Sequence, residues 1–83
     1  MQKVLDEIRS LIEGPMKEME IEVDSIDYVK ENNYYFLKIV LDKVNGIDLD
    51  TIVEATNVIN PILDEHDLIK DEYILDISSK ERG

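Results

Sequence analysis

The stretch Asn32-Asn33-Tyr34-Tyr35-Phe36-Leu37-Lys38-Ile39-Val40-Leu41-Asp42 decides how this chain folds. It opens on two asparagines, which adopt positive φ at little cost and suit a tight hairpin turn. It then alternates with a period of two, the signature of a strand with one buried face. Tyr35, Leu37, Ile39 and Leu41 fall on one side and read as the core face. Tyr34, Phe36, Lys38, Val40 and Asp42 fall on the other, which is more charged and amphipathic and reads as the open face.

Toward the N-terminus the period of two continues back to Glu20. Ile21, Val23 and Ser25 share one face, and Ile26, Tyr28 and Lys30 share the other. The phase slip near Ser25-Ile26 predicts a β-bulge, which adds one residue and re-aims the side chains beyond it. With Glu31-Asn32-Asn33 as the turn, the two strands make an antiparallel hairpin. Before them, Val4, Leu5, Ile8, Leu11 and Ile12 recur at helical spacing among Asp6, Glu7, Arg9 and Ser10. That is an amphipathic helix of about three turns. Gly14-Pro15 interrupts the pattern, but Met16 and Met19 extend the stripe, so a kinked continuation is predicted.

Toward the C-terminus, Lys43-Val44-Asn45-Gly46 ends the strand. Asp48 stands where a helix N-cap belongs, and Asp50 adds negative charge in the first turn. Leu49, Ile52, Val53, Ala55, Ile59, Ile62 and Leu63 form the predicted buried stripe. Pro61 lies inside it and predicts a kink, because its ring pushes against the carbonyl of Asn57. Asp64-Glu65-His66-Asp67 closes the helix. A last strand runs from about Tyr73 to Ser78, with Tyr73, Leu75 and Ile77 inward and Ile74 and Asp76 outward. The order is α-β-β-α-β. It predicts an α+β two-layer sandwich, a three-stranded sheet with two helices on one face. The topology is KH-like without a GXXG loop. Residues 1–83 are read as one domain, with a frayed tail at Lys80-Glu81-Arg82-Gly83.

Composition bounds the chemistry. A chain of 83 residues buries only ~60% of its unfolded surface and is marginally stable. It has no cysteine, which removes disulfides and thiolate metal sites and fits a reducing cytoplasm. Nine Lys and Arg face twenty Asp and Glu, for a net charge of −11. Such a surface repels naked nucleic acid and anionic membranes and attracts a basic partner protein. Solubility is the plainer reading of the same charge. The first residues, Met1-Gln2-Lys3-Val4-Leu5-Asp6-Glu7, interleave acids with apolar residues and do not read as a signal peptide.

No catalytic constellation is legible. His66 is the only histidine, too few for a Ser/His/Asp triad or a histidine-rich metal site. The runs Asp64-Glu65-His66-Asp67 and Asp42 to Asp50 lack the ligand rhythm of a calcium loop, so they read as solvated acidic surface. Glycines at 14, 46 and 83 are isolated and make no phosphate cradle. No cofactor and no metal are expected. Tyr28, Tyr34, Tyr35 and Phe36 allow a base-stacking platform on the open face, although cross-strand pairing within the hairpin is the simpler account.

Several segments taken together resemble a known family. They are Asp27-Tyr28-Val29-Lys30-Glu31, Phe36-Leu37-Lys38-Ile39-Val40-Leu41-Asp42-Lys43, Gly46-Ile47-Asp48-Leu49-Asp50, Ile62-Leu63-Asp64 and Tyr73-Ile74-Leu75-Asp76-Ile77-Ser78-Ser79. In this order they resemble the N-terminal domain of the bacterial ribosome maturation factor RimP family. Each segment alone is ordinary strand and cap chemistry; their co-linearity carries the likeness. The resemblance implies a non-enzymatic, cytoplasmic assembly factor that binds the maturing small ribosomal subunit near its decoding region, through a small basic ribosomal protein. Direct RNA contact by this domain would be weak. The family follows its two serines with Pro-Gly-Leu and an Sm-like barrel, whereas Lys80-Glu81-Arg82-Gly83 follows here. The expectation is an N-terminal-like domain with the barrel absent.

The partner-binding candidates from the matched segments are Asp42, Lys43, Asp48, Asp50, Ser78 and Ser79, which fall at strand ends and cap positions. Each also has an ordinary role as a turn or cap residue. A second reading stands beside the first: a generic acidic interaction or dimerisation module that pairs through a sheet edge or its open aromatic face.

Overall fold

The computed structural model describes residues 1–80. Its elements are α1 (Gln2–Glu18), β1 (Glu22–Glu31), β2 (Tyr34–Asp42), α2 (Leu49–His66) and β3 (Ile74–Ser79). The α-β-β-α-β order and the α+β class are those read from the sequence. The sheet order is β1-β2-β3. β1 runs antiparallel to β2, and β3 runs parallel to it after the α2 crossover.

The hairpin turn forms as the asparagines predict. Asn32 has φ of 51° and Asn33 of 68°, the two positive values that a tight turn matched to strand twist requires. The bulge is present one residue earlier than expected. Val23 lies opposite Leu41 and Ser25 opposite Val40, so Asp24 is the added residue. Its consequence is large, because one residue flips every following side chain to the other face. Ile26 comes to lie opposite Ile39 and Tyr28 opposite Leu37. Both therefore join Val23 on the helix side instead of facing away from it.

That face and the two helices share one core. Ile8, Ile12 and Met16 of α1, Leu37, Ile39 and Leu41 of β2, and Ile59 of α2 are the largest fully buried side chains. Each such burial contributes about 1.5–3 kcal/mol. The other face of β2 is half-buried or exposed throughout, so both helices cover the same side. The predicted stripe of α2 needs one correction. Leu49 is 82% exposed and Val53 is 57% exposed. They sit about a quarter-turn or more from the line of Ile52, Ala55, Ile59 and Leu63 on a helix of 3.6 residues per turn. Val58, outside the predicted stripe, packs against the core in part. Both helices run through their prolines, Pro15 and Pro61.

Local chemistry ends the elements. After α1, Ile21 N–H donates to Met16 O at 2.8 Å and Glu20 N–H to Lys17 O at 2.9 Å. This is a Schellman closure with its usual apolar contact, since Ile21 and Met16 are both buried. Glu20 holds the left-handed position, with φ of 63°. Asp67 closes α2 in the same conformation, its N–H donating to Leu63 O at 2.9 Å. Gly46, at φ of 83°, closes the turn after β2 by donating to Lys43 O at 2.9 Å. Lys80 is held rather than frayed: its N–H donates to Leu41 O at 2.7 Å and its Nζ lies 3.2 Å from Asp24 Oδ1. The rest of the expected frayed tail, 81–83, lies outside the described residues.

Two substitutions separate backbone strain from packing. Glu20→Gly removes a side chain from a left-handed position and should raise stability by about 1 kcal/mol. Gly46→Ala, whose new Cβ meets nothing within 4 Å, should lower it by about 1 kcal/mol through φ alone. Urea unfolding midpoints measure both, and a shift of the same sign in the two variants would refute the assignment.

Candidate functional site

Parallel pairing of β2 with β3 brings the ends of both strands to one pole of the sheet. Val40 lies beside Ser78 and Leu41 beside Ser79, so four of the sequence candidates, Asp42, Lys43, Ser78 and Ser79, gather there. Asp42 Oδ1 accepts from Lys43 N–H at 2.9 Å. Both residues line a depression of about 260 Å³ against the end of α1, with Lys17 and Glu22 among its walls. Ser78 and Ser79 are exposed.

Asp48 caps α2, its Oδ1 accepting from Thr51 N–H at 2.8 Å. The hydrogen bonds from Thr51 hold its carboxyl below the usual carboxylate range, and the charge of Lys43 pulls the same way. Asp50 stands exposed in the first turn. The exposed Leu49 and Val53 are one helical turn apart between these acids and the rest of α2. The sequence pattern places both on the core stripe and so gives no sign of this exposed pair.

The opposite pole joins the hairpin turn, the end of α2 and the start of β3. Tyr28 and Tyr35 stack there, with ring centroids 5.2 Å apart and planes within 4°. Lys30 Nζ lies 5.6 Å from the Tyr35 centroid, within cation–π range. Both rings lie on the helix side, since Tyr28 pairs with Leu37. Only Tyr34 and Phe36 of the four aromatics remain on the open face. The cross-strand account is therefore the right one, and a four-ring platform does not form.

The Tyr28 hydroxyl is buried, with no hydrogen-bond partner among the described residues. Burial pushes its pKa up, and the charge of Asp71 adds to this. Tyr73 is raised likewise, by burial first and then by Asp64 and Asp67. Beside it runs a trough of about 620 Å³ between the C-terminal half of α2 and the start of β3. Its carboxylates are Asp64, Asp67, Asp71 and Glu72, against one cation, Lys70. Lys70 Nζ lies 3.6 Å from Asp67 Oδ2. The sequence reading saw the run at 64–67 only as solvated acid. Nothing in local sequence says that 71–73 meets it; the crossover topology does.

The carboxylates of the trough and the tyrosine faces beside it suit this second pole to cationic groups. His66 lies exposed in the last turn of α2. No group of three or more His, Cys, Asp or Glu among the described residues is placed to hold a metal ion. No helix among them is long and apolar enough to cross a membrane.

Residues 11–80 match the RimP N-terminal domain. The chain belongs to this family. The RimP match starts within α1 and runs through the whole sheet to Lys80, so it includes both poles. RimP proteins are ribosome maturation factors, in general non-enzymatic, and the family implies association with the small ribosomal subunit.

Two measurements test the electrostatics. Asp48 has a depressed folded-state pKa, so its contribution is present above the ordinary carboxylate value and is lost as pH falls through the folded one. Asp48→Asn, still a competent cap, should flatten that acid limb of the urea midpoint while leaving neutral stability nearly unchanged. An unaltered limb would refute it. Tyr28→Phe deletes a buried hydroxyl without a partner and should stabilise by about 1 kcal/mol. Destabilisation in thermal unfolding would reveal a hydrogen bond to that oxygen.

Proposed function

We propose that this chain is a non-enzymatic binding domain that docks on the maturing small ribosomal subunit through a basic ribosomal protein. The family match over residues 11–80 carries this reading. The charge supports it. At −11 the surface attracts Lys- and Arg-rich protein and repels exposed phosphate. Direct RNA contact by this domain is therefore weak. The work is done by surface complementarity in the cytoplasm, without a cofactor.

Asp42, Lys43, Asp48, Asp50, Ser78 and Ser79 are the proposed partner contacts. The exposed Leu49 and Val53 add apolar area beside Asp48 and Asp50, the mixture that protein interfaces use. The second reading, a generic acidic dimerisation module, is favoured by one observation: β3 is a terminal strand of the sheet, and such an edge is a template for pairing.

Affinity capture with this chain should enrich immature over mature small subunits, and the enrichment should weaken as salt rises. Asp42→Asn with Asp48→Asn should reduce it severalfold. Equal capture of immature and mature particles would refute the reading. Sedimentation at several concentrations checks the alternative, for which a tight homodimer is the expected outcome.

A further inference from the structure

The two outer edges of the sheet are not equivalent. At β1 the bulge twists the edge, and Arg9 covers its start. Its Nη1 donates to Val23 O at 2.8 Å and its Nη2 to Asp24 O at 3.4 Å. These are the bulge carbonyls, so this end of the edge is occupied from within the chain.

The edge of β3 is different. Lys80 N–H donates to Leu41 O, which fixes the alternation of backbone groups along the strand. Those of Ile74, Asp76 and Ser78 turn toward β2. Those of Leu75, Ile77 and Ser79 turn outward, and among the described residues β3 has no further strand beside it. On the helix side this edge adjoins the trough. Leu63, Ile69 and Leu75 supply its apolar lining, and Asp64, Asp67 and Asp71 are among its carboxylates.

We propose that the outer edge of β3 takes an extended Lys- or Arg-rich segment of a partner protein as a fourth strand. Main-chain hydrogen bonds to Leu75, Ile77 and Ser79 give the register. Alternate side chains of an added strand point to the helix side, where the trough lies. Their aliphatic stems pack along the apolar wall at the half-buried Leu75, and their cations reach the carboxylates. The occupant follows from charge. A second copy would bring −11 against −11, and an acidic peptide would meet the same repulsion. The inference deepens the reading above and rests on it only for the partner being a basic protein.

Amide hydrogen exchange tests it on the whole chain. The probe is a short peptide of alternating Lys and Val, with a Glu-Val peptide as control. With the Lys-Val peptide, the Leu75 and Ile77 amides should slow severalfold, while Asp76 and Ser78, already turned to β2, stay unchanged. Asp64→Asn with Asp67→Asn should abolish the effect. Both sites are exposed, and Asn tolerates the left-handed conformation at 67, so the variant folds.

Peptide binding without slowing at Leu75 and Ile77 would overturn strand addition. Equal slowing by the Glu-Val peptide would overturn the charge argument, and slowing with chain concentration alone would assign the edge to a second copy. If the double variant still captures immature subunits undiminished, the ribosomal reading stands and this one falls.

Discussion

The whole structure depends on β2 and its strict alternation. It is the central strand, hydrogen-bonded on both sides, and its Leu37, Ile39 and Leu41 are 0% exposed. Neither neighbour has a continuous face of that quality. β1 offers Val23, then breaks phase at Asp24, and resumes with Ile26 and Tyr28. β3 offers only the half-buried Leu75 and Ile77. Both helices must therefore press onto the β2 face to bury their own stripes. A one-residue slip of β2 would turn its core residues to solvent and leave α1 and α2 without a surface.

Parallel pairing has a functional consequence that an all-antiparallel arrangement would lack. It sends α2 back along the sheet, from the C-terminal end of β2 to the N-terminal end of β3. The start of α2, with Asp48 and Asp50, then lies at the pole where β2 and β3 finish. Its end, with Asp64 and Asp67, lies where β3 begins. The acids of one helix thus serve two separate surfaces. The same arrangement leaves β3 at an edge, whereas the start of the β1 edge, at Val23 and Asp24, is occupied by Arg9.

Much of this was legible from local pattern. The Asn32-Asn33 turn, the alternation of β2, the Asp48 cap and the stripe through Met16 are each decided by neighbours within a few residues, so the sequence displays them directly. The bulge was visible as a phase slip, but its position was not, because Ser25 and Asp24 are equally acceptable as the added residue until pairing is known. Leu49 and Val53 misled for a related reason: apolar identity is visible, while angular position relative to a stripe needs the partner sheet. Of the site candidates, Asp42, Lys43, Ser78 and Ser79 lie at one pole because β2 and β3 both end there. The acidic trough was not legible, since Asp64 and Asp71 come together only through the fold.

The placement of charge connects stability to binding. None of the acids is buried among the described residues, so no desolvation penalty is being offset, and twenty of them act mainly by mutual repulsion across a small surface. Such repulsion disfavours the compact state. A domain of this size has little core energy to spare against it. A cationic partner at either pole relieves the repulsion in the folded chain more than in the expanded one, where the same charges are already far apart. Any ligand that favours the folded state stabilises it by mass action. A basic partner, if it docks as proposed, is therefore coupled to folding through the same charges, and both effects weaken as ionic strength rises.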